Sequence, residues 1–207
     1  MVLRAVVGLG NPGSEYIQTR HNAGFWFVEH LASSAGGSFR HEARFHGELA
    51  KIRFANQDLL LLKPMTYMNR SGQSAQALAA FFKLPPDEIL VAHDELDLAA
   101  GTMRLKRGGG HGGHNGLRSL HEHLGESYLR LRIGIGHPGH KDRVHGYVLS
   151  RPGADDEAAI HNGIQAAADA LQIALTENWD KATQKLHTPP EAVKPPKPKP
   201  PLPTGNP

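Results

Sequence analysis

The chain has 207 residues, with 23 Lys and Arg against 20 Asp and Glu, 39% hydrophobic residues, 23 Gly and 15 Pro. That length suits one domain with a sizeable core and an appendage, and the apolar runs at 59–62 and 89–92 fall far short of the roughly 20 residues of a bilayer span. Cysteine is absent, which excludes disulfides, thiolate nucleophiles and sulfur-ligated metals.

In chain order, residues 3–8 form an apolar run ending in Gly-Leu-Gly-Asn-Pro-Gly, the pattern of a buried strand opening into a tight loop. Residues 19–35 are predicted helical, with Phe25, Val28, Leu31 and Ala32 on one buried stripe. Residues 47–54 and 58–63 read as a hairpin turning at Asn56-Gln57. A helix is predicted over 71–83, closed by Pro85-Pro86, and a second apolar strand over 89–92 leads into His93-Asp94-Glu95-Leu96-Asp97. Residues 102–106 alternate, a loop with six glycines between Gly108 and Gly116 follows, and 117–124 reads as a short helix. Residues 128–136 alternate strictly, with Leu129, Leu131, Ile133 and Ile135 facing one way, and a long helix runs over 155–178 with Ile160, Ile164, Ala167, Leu171 and Leu175 as its stripe. Strands interleaved with helices predict a single-domain α/β sandwich: a central mixed, mostly parallel twisted sheet with helices on both faces.

The composition changes near His187. Nine of the fifteen prolines lie in 189–207 among Lys194, Lys197 and Lys199, so 187–207 is expected to be a disordered or polyproline-like tail. With three Lys and one Glu assigned to that tail, the body at 1–186 holds 20 basic and 19 acidic residues. A nucleic-acid footprint therefore has to come from local clustering. The N-terminus lacks the basic region and apolar stretch of a secretory signal, which predicts a cytoplasmic location.

Gly8-Leu9-Gly10-Asn11-Pro12-Gly13 matches a dinucleotide fingerprint in spacing, but that site needs a helix to begin inside the loop, and here Pro12-Gly13 makes a turn. Fourteen histidines invite a metal reading. No H-E-x-x-H is present, and His111 and His114 sit in a glycine loop without helical register, so no metal or other cofactor is expected. The chain also lacks a G-x-S-x-G elbow. What remains is polar residues at strand ends and loops: Asn11, His21, Asn69, Asp94 and Asn115, where α/β sheets gather their sites. Each also has an ordinary reading, as turn residue, helix cap, loop carboxylate or first-turn histidine. Arg104, Lys106, Arg107 and Arg118 lie around the glycines with no acid among them, which suits phosphate.

Five blocks in order carry a family resemblance. They are the N-terminal block from Gly8 through Tyr16, Thr19, Arg20, His21 and Asn22 to Gly24; Lys63-Pro64-Met65-Thr66-Tyr67-Met68-Asn69-Arg70-Ser71-Gly72; His93-Asp94-Glu95-Leu96-Asp97; Gly108-Gly109-Gly110-His111-Gly112-Gly113-His114-Asn115-Gly116-Leu117; and Arg130-Leu131-Arg132-Ile133-Gly134-Ile135-Gly136-His137-Pro138. Together they resemble bacterial peptidyl-tRNA hydrolases over residues 2–185.

The resemblance implies hydrolysis of the ester joining peptide to tRNA, recycling tRNA from stalled or aborted translation. His21 would be the general base on water and Asp94 its orienting partner, with no covalent intermediate. Asn69 and Asn115 would position the terminal adenosine and the acyl carbonyl, and Asn11 would recognise the first peptide amide. Tyr16 and Tyr67, where the family often has Phe at the latter position, would line the site for the tRNA end, with His114 bordering the cleft. Arg104, Lys106, Arg107 and Arg132 would grip acceptor-stem phosphates. A monomer with no membrane or obligate protein partner is the family expectation. The competing readings are a catalytically silent RNA-binding module, against which the intact His21, Asp94 and asparagine set argues, and a dinucleotide oxidoreductase.

Overall fold

The fold is built outward from a strand buried on both faces. In the computed structural model, which describes residues 2–188, β1 (Ala5–Gly8) lies between β4 (Gln57–Pro64) and β5 (Ile89–Glu95) and runs parallel to both. Ala5 and Val7 face one core while Val6 faces the other. Apolar residues are therefore needed at every position, which is why this segment reads as a continuous run. Beyond β5, β7 (Leu129–Gly134) adds a further parallel strand. The flanks are antiparallel: β6 (Met103–Arg107) on β7, and β3 (Gly47–Phe54) and β2 (Arg40–Glu42) beyond β4. The order is β2-β3-β4-β1-β5-β7-β6.

Two apolar cores sandwich this sheet. One joins α1 (Ala23–Ser34), α5 (Ala154–Thr176) and α6 (Trp179–His187) to Val6, Leu61, Leu90, Leu131 and Ile133. The other joins α2 (Ser71–Phe82) and α3 (Asn115–Leu124) to Ala5, Val7, Leu62, Ile89 and Val91. This is the α/β sandwich expected, with helices on both faces of a mixed, mostly parallel sheet. Because β1 leads to a helix on one face and β4 to a helix on the other, the crevice between their C-terminal ends is a topological switch point, where such sheets bind ligands. A short helix, α4 (Val144–Val148), lies beyond β7.

Several boundaries differ from the expectation. The hairpin turns at Ala55-Asn56, both left-handed (φ 49° and 64°), with Phe54 paired to Gln57; a two-residue turn of this hand matches strand twist, and Asn tolerates it. Residues 20–22 form a 3-10 turn before α1. β5 continues through His93, Asp94 and Glu95. The short β2, α4 and α6 are additions. His187, expected to open the tail, is the last residue of α6, and its Nε2 accepts the Leu105 amide at 2.9 Å. The proposed tail at 189–207 lies outside the described residues.

The Gly-x-Gly segment serves close packing. A Cβ on Gly24 would lie 2.3 Å from the Ala92 carbonyl and 2.4 Å from the Leu9 amide, and one on Gly8 would lie 2.3 Å from the Gly24 carbonyl. The start of α1 thus rests directly on β1 and β5, which sets the turn carrying His21 over the end of β5. Gly24→Ala meets backbone on both sides, so a loss of at least about 2 kcal/mol is expected from overpacking, measured by urea unfolding. Gly146→Ala in α4, where a Cβ meets nothing within 4 Å, is the control and should leave stability unchanged or slightly raised.

Candidate active site

A cleft of about 830 Å³ opens along the C-terminal ends of β1, β4 and β5, walled on one side by the glycine loop before α3 and on the other by α4. Of the residues singled out in the sequence, Asn11, His21, Tyr67, Asn69, Asp94, Lys106, His114, Asn115 and Arg132 line it. The centre is the Asp94 carboxylate, whose side chain is 3% exposed. His21 Nδ1 lies 3.0 Å from each of its oxygens, and His114 Nε2 lies 2.8 Å from Oδ1.

Both tautomers follow from these contacts. Burial alone would push the Asp94 carboxyl up, but the His21 and His114 imidazoles hold it well below the usual carboxylate range. It is therefore ionised and can only accept, so His21 carries its proton on Nδ1. His114 caps α3, its Nδ1 accepting the amides of Gly116 (3.1 Å) and Leu117 (3.3 Å). Its proton must then sit on Nε2, facing Asp94. His21 Nε2 makes no hydrogen bond among the described residues, which leaves its lone pair for the cleft. Burial lowers the basicity of His21, yet the charge of Asp94 and its hydrogen bond outweigh that and raise its pKa above the ordinary 6.5.

His21 Nδ1, His114 Nε2 and an Asp94 oxygen lie within 4.8 Å of one another, close enough to consider a metal. The donor set does not suit one. Ligation through His114 Nε2 would move that ring's proton to Nδ1, against two amide N–H groups.

The carboxamides are oriented by the same logic. Asn11 Oδ1 accepts the Met68 amide at 2.8 Å across the switch-point crevice, so its Nδ2 is the group left to donate. Asn22 supports that loop by bonding both the amide and the carbonyl of Asn11 (2.9 and 3.0 Å). Asn115 Oδ1 accepts from Arg118 at 3.3 Å, which again leaves Nδ2 free. Asn69 is exposed on the 3-10 turn Met68–Arg70, beside Tyr67, which is 62% exposed.

The cations divide between the cleft and the surface outside it. β-strand alternation puts Lys106 on the cleft face and Arg107 on the opposite one, where its guanidinium lies 5.1 Å from the Trp179 ring of α6. Arg104 bonds the Met103 carbonyl and does not line the cleft. Arg132 does, with its Nε donating to Glu95 at 2.8 Å. Tyr16 is half-buried in the turn before His21 and also lies outside the lining.

Several residues went unassigned in the sequence. Lys141 lines the mouth and, like Lys106, makes no ion pair among the described residues. Arg20, 7% exposed, bonds Ser150 Oγ (2.8 Å) and the Arg151 carbonyl (2.9 Å) and lies 4.0 Å from the Tyr147 ring, tying α4 to the His21 turn. His93 is driven down to about 3 by burial, with His114 contributing, and so stays neutral, its Nδ1 bonding the Asp94 carbonyl at 2.8 Å. Arg130 lies on the cleft floor. Alternation over 128–136 places it on the face opposite Leu129, Leu131 and Ile133, where its guanidinium bonds carbonyls of the glycine loop.

This geometry meets its relatives at one family. A sequence profile for peptidyl-tRNA hydrolase matches residues 5–195. The chain belongs to the peptidyl-tRNA hydrolase family. It is 55% identical over 185 residues to the peptidyl-tRNA hydrolase of Halorhodospira halophila, covering 89% of this chain and 95% of that one. It is likewise 55% identical over 188 residues to that of Stenotrophomonas maltophilia, covering 90% and 98%. The crystal structure of peptidyl-tRNA hydrolase from Acinetobacter baumannii superposes with a TM-score of 0.87 at 48% identity, covering 89% of this chain and 94% of that one. Among the described residues no helix is long and apolar enough to cross a membrane.

If the neutral His21 ring acts as a base, kcat/KM should fall as pH drops through a value above 6.5. Asp94→Asn removes the raising charge and leaves the burial. His21 should then titrate below 6.5 by ¹⁵N NMR, and the acid limb should move to lower pH while the plateau drops. An unmoved limb would detach the pair from the rate.

Proposed function

We propose that this chain hydrolyses the ester between a peptide and the terminal ribose of tRNA, freeing both for recycling in the cytoplasm. The observation that carries this reading is the His21–Asp94 hydrogen bond, which leaves His21 Nε2 bare inside a cleft ringed by Asn11, Asn69 and Asn115. His21 Nε2 takes a proton from water as that water attacks the ester carbonyl, and Asp94 fixes the tautomer and stabilises the imidazolium. No serine, threonine or cysteine lines the cleft among the described residues, which favours direct attack by water over a covalent intermediate. The free amide donors of Asn69 and Asn115 face the growing oxyanion and the terminal adenosine.

Asn11 accounts for selectivity toward acylated amines. Its oxygen is committed to Met68, so its Nδ2 requires an acceptor on the substrate. A peptide carbonyl supplies one, whereas the ammonium of a free aminoacyl ester supplies only donors. Tyr67, open to solvent at the rim, offers a face for a terminal base. Lys106 and Lys141 attract backbone phosphate, which makes affinity depend on salt rather than on tRNA sequence. The scheme is written for a monomer, the state that the family resemblance implies.

His21→Ala should lower kcat at least about 100-fold with an unchanged unfolding curve; near-normal release of tRNA would remove His21 from the mechanism. Lys106→Ala should raise KM for peptidyl-tRNA and flatten its salt dependence, while a minimal N-acylaminoacyl ester of adenosine is cleaved normally. Arg107→Ala, on the far face, should change either substrate little.

A further inference from the structure

The glycine loop that delivers His114 and Asn115 has little rigidity of its own. Gly109, Gly112 and Gly113 take φ of 99°, 56° and 83°, values open to glycine at little cost and therefore poorly held without outside contacts. A hold comes from the sheet beneath. Arg130 on β7 is 3% exposed, and its Nη1 donates to the Gly110 carbonyl at 2.7 Å. Its Nη2 donates to the Gly109 carbonyl and lies 3.0 Å from His121 Nε2 on α3. The guanidinium sits 5.0 Å from the Tyr128 ring centre. Among the described residues no carboxylate is in ion-pair range of it, so carbonyl dipoles, an imidazole and an aromatic face solvate this charge in place of an acid.

We propose that Arg130 is a positioning residue for the hydrolysis: by pinning two successive carbonyls of the loop and the flank of α3, it fixes where His114 meets Asp94 and where Asn115 enters the cleft. This rests on the roles given above to His114 and Asn115. A planar fork is required, because one guanidinium reaches both carbonyls and His121 together, whereas the ammonium of a lysine is a single point. The neighbouring cation Lys106, paired in register with Arg130 across β6 and β7, makes no such bonds.

The test uses Arg130→Ala and Arg130→Lys with two substrates, peptidyl-tRNA and the minimal adenosine ester. Misplacement of the loop should lower kcat on both by about 10–100-fold, with KM for peptidyl-tRNA little changed. Millimolar guanidinium should restore part of the Arg130→Ala loss, and ammonium should not. In ¹⁵N spectra, wild-type His114 should show a bare Nδ1 and a protonated Nε2; the variant should show averaged tautomers, fixed again by guanidinium. A defect confined to KM for peptidyl-tRNA would make Arg130 a phosphate contact and overturn the proposal. So would a kcat loss with the His114 tautomer intact, or the absence of any rescue. If Arg130→Ala does not fold, Arg130→Lys carries the kcat and tautomer measurements with the same expected directions. His21→Ala, run alongside, separates the two readings: its full activity would sink the mechanism while leaving the tautomer result on Arg130 standing.

Discussion

The site depends on one buried carboxylate shared by two imidazoles. Removing the Asp94 charge from water is costly, and the protein offsets that cost by aiming two N–H donors at it. Each donor is forced into a single tautomer for a different reason. His114 is locked from behind by the amides at the start of α3; His21 is locked by Asp94 itself. The outcome is asymmetric. His114 spends both nitrogens on hydrogen bonds within the protein, and His21 keeps Nε2 open to the cleft.

Everything nearby serves to bring three chain segments to that carboxylate. The glycine contacts between α1, β1 and β5 let the His21 turn sit over the end of β5. Divergence of the chain after β1 and β4 opens the crevice spanned by the Asn11–Met68 bond. The loop before α3 closes the third side. Helix termini and strand ends, each held by a few polar bonds, thus carry the residues that line the cleft, while the two apolar cores behind them supply rigidity.

The buried framework was readable from apolar pattern: the continuous runs in β1 and β5, the alternation in β7 and the stripes of α1 and α5 all register packing against a core. Elements without such a pattern escaped. β2 is three residues, Arg-His-Glu, with no apolar alternation, and α4 is five residues long. His21, Asp94 and the three asparagines stood out because they punctuate strand ends, but that sites them without pairing them; only their order along five familiar blocks suggested roles. Composition counted Arg107 and Lys106 as one basic cluster, although a strand sends neighbours to opposite faces. Arg20 and Arg130 were invisible as anchors because most of their hydrogen bonds go to backbone carbonyls, which carry no sequence signal.

The last residue of α6 also bears on the outer margin of the sheet. β6 is an outer strand, and an outer strand offers unpaired amides that can recruit a stray chain into cross-molecular pairing. His187 occupies the outward amide of Leu105 with an imidazole nitrogen. That bond, together with Trp179 of α6 and the Arg107 guanidinium 5.1 Å from its ring, covers part of the margin at which a further strand would pair.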